Sequence, residues 1–291
     1  MSNETIFIKA RAKINLNLQV LEKREDNYHN LESVFQKINL YDELFISKNE
    51  QNDLIINTNI KELNGKDNII YKAYIKLKEK YSQIKGVTVN LDKKIPMQAG
   101  MAGGSTDCAA FILAINKLYN LNMSKDELET IGASLGADVV PCFYNRAIKA
   151  NGIGEKITEI NTDFIYYILI IKPQLSFSTK EMYNKIDNNI KNRSMDLQNI
   201  NNVVKALETS NINLLSNNLY NTFEKVVPSK IQEIKQELLD NGAVGALMTG
   251  SGSCVFGIFE NREAIKKAYN KLKYKYEVYL TNSYNKYRRN Y

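Results

Sequence analysis

The stretch that most constrains how this chain can fold is residues 96–110, PMQAGMAGGSTDCAA. Gly100, Gly103 and Gly104 permit positive φ angles and remove every Cβ that would hold another molecule away from the peptide N–H groups. Such a stretch can form a concave anion nest. Ser105 or Thr106 is the expected N-cap of a helix, with Asp107 in its first turn. Cys108, Phe111, Ile112, Ile115, Leu118 and Tyr119 then recur at helical spacing. A strand expected near 86–92 leads into the loop. A helix N-terminus offers unpaired N–H donors and about half a positive charge, which suits a phosphate. No Lys follows Gly104 as a Walker A loop requires, and Gly100 and Gly103 lack the spacing of a dinucleotide loop. On this stretch alone, a plain glycine turn feeding a buried helix remains an open reading.

The chain around this loop reads as strand-rich, then helical, then mixed. Segments near 4–20, 31–38, 43–48 and 53–57 carry β-branched and aromatic residues in short runs. A helix is predicted near 68–81, where Ile70, Tyr74, Leu77 and Tyr81 share a face, and others near 105–119 and 124–134. FIYYILIIKP at 164–173 reads as a buried strand ended by Pro173. Ser229 and Gln232 have capping-box spacing, Ile231, Ile234 and Leu238 line one face, and Asn241 and Gly242 supply a helix stop. GALMTGSGSCVFGIF at 245–259 gives a strand, a second glycine turn and a strand. The Asn- and Lys-rich stretch 184–221 is expected to be exposed and locally irregular.

Composition removes several function classes. No stretch approaches the 18 uninterrupted apolar residues of a membrane span, and MSNETIFIKARAKINL lacks the order of a signal peptide, so a cytoplasmic protein is expected. Cys108, Cys142 and Cys254 are odd in number, widely spaced and set among apolar or small neighbours, which fits reduced core thiols. A single histidine, His29, excludes a histidine-rich metal centre. The net charge of +7 and pI near 9.0 suit an anionic ligand. The tail KLKYKYEVYLTNSYNKYRRNY interleaves basic and aromatic residues as a nucleic-acid tract can. Its alternation of Tyr274, Tyr276, Val278 and Leu280 with Lys275, Glu277 and Tyr279 reads better as a half-exposed strand, and no nucleic-acid partner is expected.

Two glycine turns in separate halves of a chain can converge on one ligand, but periodicity cannot bring them together. KINLNLQVLEKREDNYHNLESVFQKINLYDEL at 13–44, the glycine loop, GADV at 136–139, NGIGEK at 151–156, STKEMY at 178–183 and GALMTGSGSCVFGIF at 245–259 occur in the order found in the GHMP kinases. The chain resembles that family from about Lys9 to Phe259. Its opening segment, with Tyr28-His29 and LESVFQ, resembles the branch that phosphorylates a cytidyl-diphosphate sugar alcohol in non-mevalonate isoprenoid biosynthesis. Asp26-Asn27 replaces the branch's Asp-Gly, in a turn where Asn also tolerates positive φ. Val140 extends the usual Asp-Val-Pro, and Asn145-Arg146 stands where the branch has a small Gly-Gly pair.

The resemblance implies an α+β, two-domain GHMP kinase fold: an N-terminal ATP-binding domain over 1–160 and a C-terminal α/β sandwich domain over 161–291. It implies transfer of phosphate from ATP to an alcohol, with Mg²⁺ neutralising the phosphates and Thr106 or Ser105 reaching the metal. Pro96, Met97, Gln98, Ala99, Gly100, Met101, Ala102, Gly103, Gly104, Ser105 and Thr106 then wrap the phosphates. Lys13 and Asp138 match the catalytic pair, and Asn15, Tyr28, His29 and Thr179 match substrate-binding positions. The expected partners are this small-molecule substrate and ATP, bound by a monomer or weak homodimer. Homoserine and mevalonate kinases of the same family, or a non-catalytic nucleic-acid-binding relative, are the competing readings.

Overall fold

The computed structural model describes residues 4–189 and 197–286. In chain order the elements are β1 (Thr5–Lys23), β2 (His29–Asn49), β3 (Leu54–Thr58), α1 (Ile69–Lys80), β4 (Gly86–Asp92), α2 (Gly103–Leu118), α3 (Lys125–Leu135) and α4 (Val139–Cys142). There follow β5 (Ile148–Asn151), β6 (Lys156–Glu159), β7 (Tyr167–Lys172), α5 (Thr179–Asn189), α6 (Leu197–Glu208), α7 (Ile212–Ser216) and β8 (Tyr220–Asn221). The chain ends with α8 (Ser229–Asp240), β9 (Gly245–Met248), β10 (Val255–Phe259), α9 (Arg262–Leu272) and β11 (Glu277–Asn282). Two compact units exchange segments through the long strands β1 and β2: residues 1–12, 40–97 and 102–143 form the first, and 13–39, 98–101 and 144–291 the second.

In the first unit β4 is the hub of the sheet, pairing with β3 in parallel (Leu54↔Val87) and with the second half of β2 in antiparallel (Glu43↔Asp92). Leu44, Ile46, Val87 and Val89 of the strands are buried, as are Ile70, Tyr74 and Leu77 of α1 and Phe111 and Ile115 of α2, and the two helices pack on each other. Period-two alternation on the strands and a 3.6-residue apolar stripe on the helices give each element a buried face. Ser124 closes a full capping box with Glu127 at the start of α3.

In the second unit a four-stranded sheet runs β11-β7-β10-β9, all neighbours antiparallel. Leu169, Ile171, Val255 and Phe259 pack against Ile231, Ile234 and Leu238 of α8 and Ile265, Ala268 and Leu272 of α9. The same unit pairs β1 with β8 in parallel (Asn17↔Tyr220) and β2 with β5 (Ser33↔Ala150). The tail forms edge strand β11 as its alternation predicts, while residues 287–291 lie outside the described residues.

Several local expectations need correction. The runs 31–38 and 43–48 are one continuous strand, β2. Helix α2 starts at Gly103, not after a Ser105 or Thr106 cap; its N-cap is Ala102, left-handed at φ 56 with no side-chain cap, so Asp107 lies beyond the first turn. Pro228 rather than Ser229 is the N-cap of α8, and no capping box forms. The stretch 184–221 is not irregular where described: it supplies the end of α5, then α6, α7 and β8. Its Asn and Lys content conceals Ile200, Val203, Ala206 and Leu207, which are buried at helical spacing. Residues 190–196 of that stretch lie outside the described residues.

Candidate active site

The second unit brings together two turns that are remote in sequence. Asn15, on the buried face of β1, is the knot. Its backbone N–H donates to Thr249 Oγ1 (3.1 Å), and its Oδ1 accepts the Lys13 ammonium (2.8 Å) and the Gly250 N–H (3.1 Å). Its Nδ2 donates to Ser33 Oγ at 2.8 Å. Thr249 Oγ1 in turn lies 3.2 Å from the Gly100 carbonyl, and the Lys13 N–H donates to the Met101 carbonyl at 3.2 Å. Glycine is required at this crossing for space as well as conformation. A Cβ on Gly100 (φ +72) would stand 2.1 Å from the Thr249 carbonyl oxygen, and one on Gly250 (φ +57) 2.7 Å from that of Gly100. Asn221 Nδ2 donates to the carbonyls of Met248 (2.7 Å) and Gly250 (2.8 Å), bracing the second turn.

Along the loop, Gln98, Gly100 and Ala102 have positive φ. Gly103 and Gly104 do not, contrary to their expected role, because they already belong to α2. Their use is steric. A Cβ on Gly103 would meet Ile95 Cγ2 and Lys93 Nζ at 3.2 Å, whereas at Gly104 the nearest atom is Ile69 Cγ2 at 3.9 Å. Gly104 is exposed, so its open side faces solvent. Thr106 is buried and its hydroxyl donates to the Arg11 carbonyl (2.7 Å), while Ser105 is half-buried. Pro96, Met97 and Ala99 complete the loop, with Met97 exposed and Ala99 buried.

Asp138 belongs to the first unit and Lys13 to the second. Asp138 is exposed at the N-cap of α4 and its side chain makes no capping hydrogen bond. An anion is favoured at a helix start, and this one keeps its oxygens open. Lys13 is buried, with Nζ 5.0 Å from the centre of the Phe35 ring.

Tyr28 and His29 follow a tight turn in which Asn27 takes φ 67, so Asn serves where the resembling family has Gly. Tyr28 is 59% exposed; His29 is 6% exposed. Nε2 of His29 lies 2.7 Å from Asp187 Oδ1, and its ring stacks on Tyr183 with centroids 4.9 Å apart. Thr179 opens α5, and its hydroxyl lies 2.9 Å from that of Ser251 in the second glycine turn. Arg146 is buried rather than solvent-facing, with a guanidinium nitrogen 3.8 Å from Glu159.

Sequence reasoning missed Thr249, Asn221, Tyr183 and Asp187. The TGSGS turn could have signalled the first. Asp187 and Asn221 fall at the edges of the Asn- and Lys-rich stretch, where no pattern marks them. The cysteines are free and buried, and burial pushes the Cys254 thiol up to about 12, as an inert core thiol requires. Among the described residues no group of three or more His, Cys, Asp or Glu side chains could hold a metal ion, and no helix is long and apolar enough to cross a membrane.

The GHMP kinases N terminal domain matches residues 68–146 and the GHMP kinases C terminal domain residues 203–278, and the fold is the GHMP kinase fold. Over 283 residues the chain is 45% identical to the 4-diphosphocytidyl-2-C-methyl-D-erythritol kinase of Thermoanaerobacter pseudethanolicus, covering 94% of this chain and 93% of that one. A crystal structure of 4-(cytidine 5'-diphospho)-2C-methyl-D-erythritol kinase superposes with a TM-score of 0.83 at 26% identity, over 97% of this chain and 100% of that one. This chain belongs to the 4-diphosphocytidyl-2-C-methyl-D-erythritol kinase family of the GHMP kinases. Homoserine kinase from Cytophaga hutchinsonii, with a TM-score of 0.74 at 19% identity over 97% of this chain and 95% of that one, shares the fold alone.

Proposed function

We propose that the chain transfers the γ-phosphoryl group of ATP to the 2-hydroxyl of 4-diphosphocytidyl-2-C-methyl-D-erythritol, giving the 2-phosphate and ADP, in the non-mevalonate route to isoprenoid precursors. The observation that carries this reading is the 45% identity, over nearly the whole chain, to a kinase of that name. Charge in such a transition state spreads over the transferred oxygens, so catalysis rests on positioning and electrostatics. In this reading the backbone from Pro96 to Thr106 wraps the phosphates, and exposed Gly104 is where they come closest. The open carboxylate of Asp138 accepts the proton of the 2-hydroxyl as the phosphoryl group arrives. The Lys13 ammonium, held by Asn15, polarises that hydroxyl or offsets phosphate charge. Tyr28 and His29 take the cytidyl end; Asn15 and Thr179 take the methylerythritol end.

Mg²⁺, when bound, neutralises the phosphates. The hydroxyl of Ser105 suits it better than that of Thr106, which is already engaged with the Arg11 carbonyl. We take 1–160 and 161–291 as the two domains, since the matched segments 68–146 and 203–278 fall on either side of that cut. Free, buried thiols suit a reducing cytoplasm, where we place the protein. We take the protein to be a monomer or weak homodimer. A coupled assay of ADP release with the cytidyl substrate, homoserine and mevalonate decides the matter. Turnover with the cytidyl substrate alone is expected; preferred turnover of either other alcohol would reassign the substrate, and none with any of the three would overturn the enzyme reading.

A further inference from the structure

Beneath the start of α2 lies a buried ionic cluster to which the chemistry above gives no role. The Lys93 ammonium lies 2.5 Å from Asp42 Oδ2 and 2.8 Å from Asp107 Oδ2, and the three side chains are 3%, 0% and 4% exposed respectively. The other Asp42 oxygen accepts the backbone N–H groups of Lys94 (2.5 Å) and Ile95 (2.8 Å), the residues through which the chain leaves β4 for the glycine loop. Asp107 lies on α2 one turn after Gly103, so both face the same side of the helix. A Cβ on Gly103 would lie 3.2 Å from Lys93 Nζ. The cluster therefore grips the chain on both sides of the loop: Asp42 holds 94–95 before it, and Lys93 holds Asp107 after it.

Such a cluster is an expensive way to stabilise a core, because an apolar substitute of similar volume is often as good. Asp107 Oδ1 is buried without a hydrogen-bond partner. Burial pushes this carboxyl well above the ordinary carboxylate range, against the pull of Lys93. Local rules are broken in this manner where function sets the geometry.

We propose that Asp42, Lys93 and Asp107 are positioning residues for ATP: the ion triad fixes the spacing between the end of β4 and the start of α2, and with it the phosphate-binding shape of the loop. This rests on the reading of the loop as the ATP site. A small misplacement of such a loop is enough to cost one to two orders of magnitude.

The test is to measure, in Lys93→Met, Asp107→Ala and Asp107→Asn, KM for ATP and for the cytidyl substrate, ADP binding by calorimetry, and thermal melting, with Gly104→Val as a loop control. Lys93→Met and Asp107→Ala should raise the ATP KM and the ADP Kd about tenfold, while the KM for the cytidyl substrate stays within about twofold. Asp107→Asn, which keeps an acceptor towards Lys93, should recover most of the loss. If Lys93→Met does not fold, the two Asp107 variants decide. A parallel rise in both KM values, or a lowered melting point with unchanged ATP KM and ADP Kd in Asp107→Ala, would reduce the triad to fold support. Unchanged ATP KM in Gly104→Val would instead overturn the loop as the ATP site.

Discussion

Asp107 and Asp138 belong to the same compact unit and each lies at or near the start of a helix, yet their circumstances are opposite. Asp107 is buried against an ammonium; Asp138 stands exposed with no capping bond. A carboxylate that takes a proton from a substrate must keep lone pairs open until the substrate arrives. One that holds architecture has an oxygen engaged beforehand, as Asp107 Oδ2 is by Lys93. The same contrast recurs elsewhere: Gly104 is open where Gly100 is packed against backbone, and Tyr28 is exposed where its neighbour His29 is stacked and hydrogen-bonded.

The sharpest way to break the contrast is to exchange the expected losses. Asp138→Asn should lower kcat by roughly 10² to 10⁴, the range for removal of a general base, with unfolding free energy within about 0.5 kcal/mol of the native protein. Lys93→Met should do the reverse to stability, costing about 3–5 kcal/mol because it leaves buried carboxylates without their counter-charge. Steady-state ADP release and urea unfolding measure the two sides. Near-native turnover in Asp138→Asn would leave positioning alone to explain the rate.

The pH dependence of stability separates the carboxylates further. Burial raises the Asp107 carboxyl well above the ordinary range. A carboxyl whose folded value lies above its unfolded one keeps its full stabilising share below the unfolded value and loses it as pH rises towards the folded one. Burial lowers the Lys93 ammonium, but Asp107 and Asp42 outweigh it and the net shift is upward, so its share is lost only in alkali. From about pH 4 upward, therefore, Asp107 tilts stability downward. Asp107→Asn should remove the tilt, so that the variant gains on the native protein as pH rises. A constant difference in urea-melt free energies would show that Asp107 is not the source.

Much of the fold was legible because its signals are local. A run of β-branched residues marked β3, alternation marked β11, and the apolar stripe marked α1, α2 and α8. What misled were caps and composition. The left-handed Ala102 carries no mark of its own, so α2 begins before Ser105. The Asn-rich composition around α6 hid an amphipathic helix whose buried face is Ile200, Val203 and Leu207. In the site, Lys13, Asn15 and the two glycine turns were visible as motifs, but their meeting was not. That Gly100 lies against Thr249 is a contact between residues 149 positions apart, and no short-range pattern encodes it. Nor does sequence distinguish an open carboxylate from an engaged one: in STDC and GADV alike a single Asp stands among small or apolar residues.

Gly104 gives a smaller effect with a diagnostic sign. It is helical and its missing Cβ would meet nothing nearer than 3.9 Å, so Gly104→Ala should stabilise the protein by up to about 1 kcal/mol through helix propensity. If phosphates approach the backbone there, the same methyl group should raise the ATP KM by about tenfold. A variant more stable and weaker for ATP would mark a glycine kept for its ligand. A variant more stable with native ATP kinetics would make Gly104 an ordinary helix residue and move the phosphates elsewhere along the loop.

Tyr28 and His29 offer the mildest comparison, since they are adjacent in sequence and differ in burial and engagement. Tyr28 is 59% exposed, so Tyr28→Ala should leave the melting temperature unchanged. A stack between its ring and a cytosine contributes about 1 kcal/mol, so KM for the cytidyl substrate should rise about fivefold while KM for ATP stays put. Tyr28→Phe, which keeps the ring face, should restore the native value. His29→Ala should behave differently, because His29 also meets Tyr183 and Asp187 of α5. It should lower the melting temperature as well as raise that KM, and the loss should exceed that of Tyr28→Ala. Equal kinetic effects without any change in melting would mean that α5 does not depend on His29. A cytidyl KM within about twofold in both variants, below what one hydrogen bond or stack contributes, would remove the pair from the substrate site altogether.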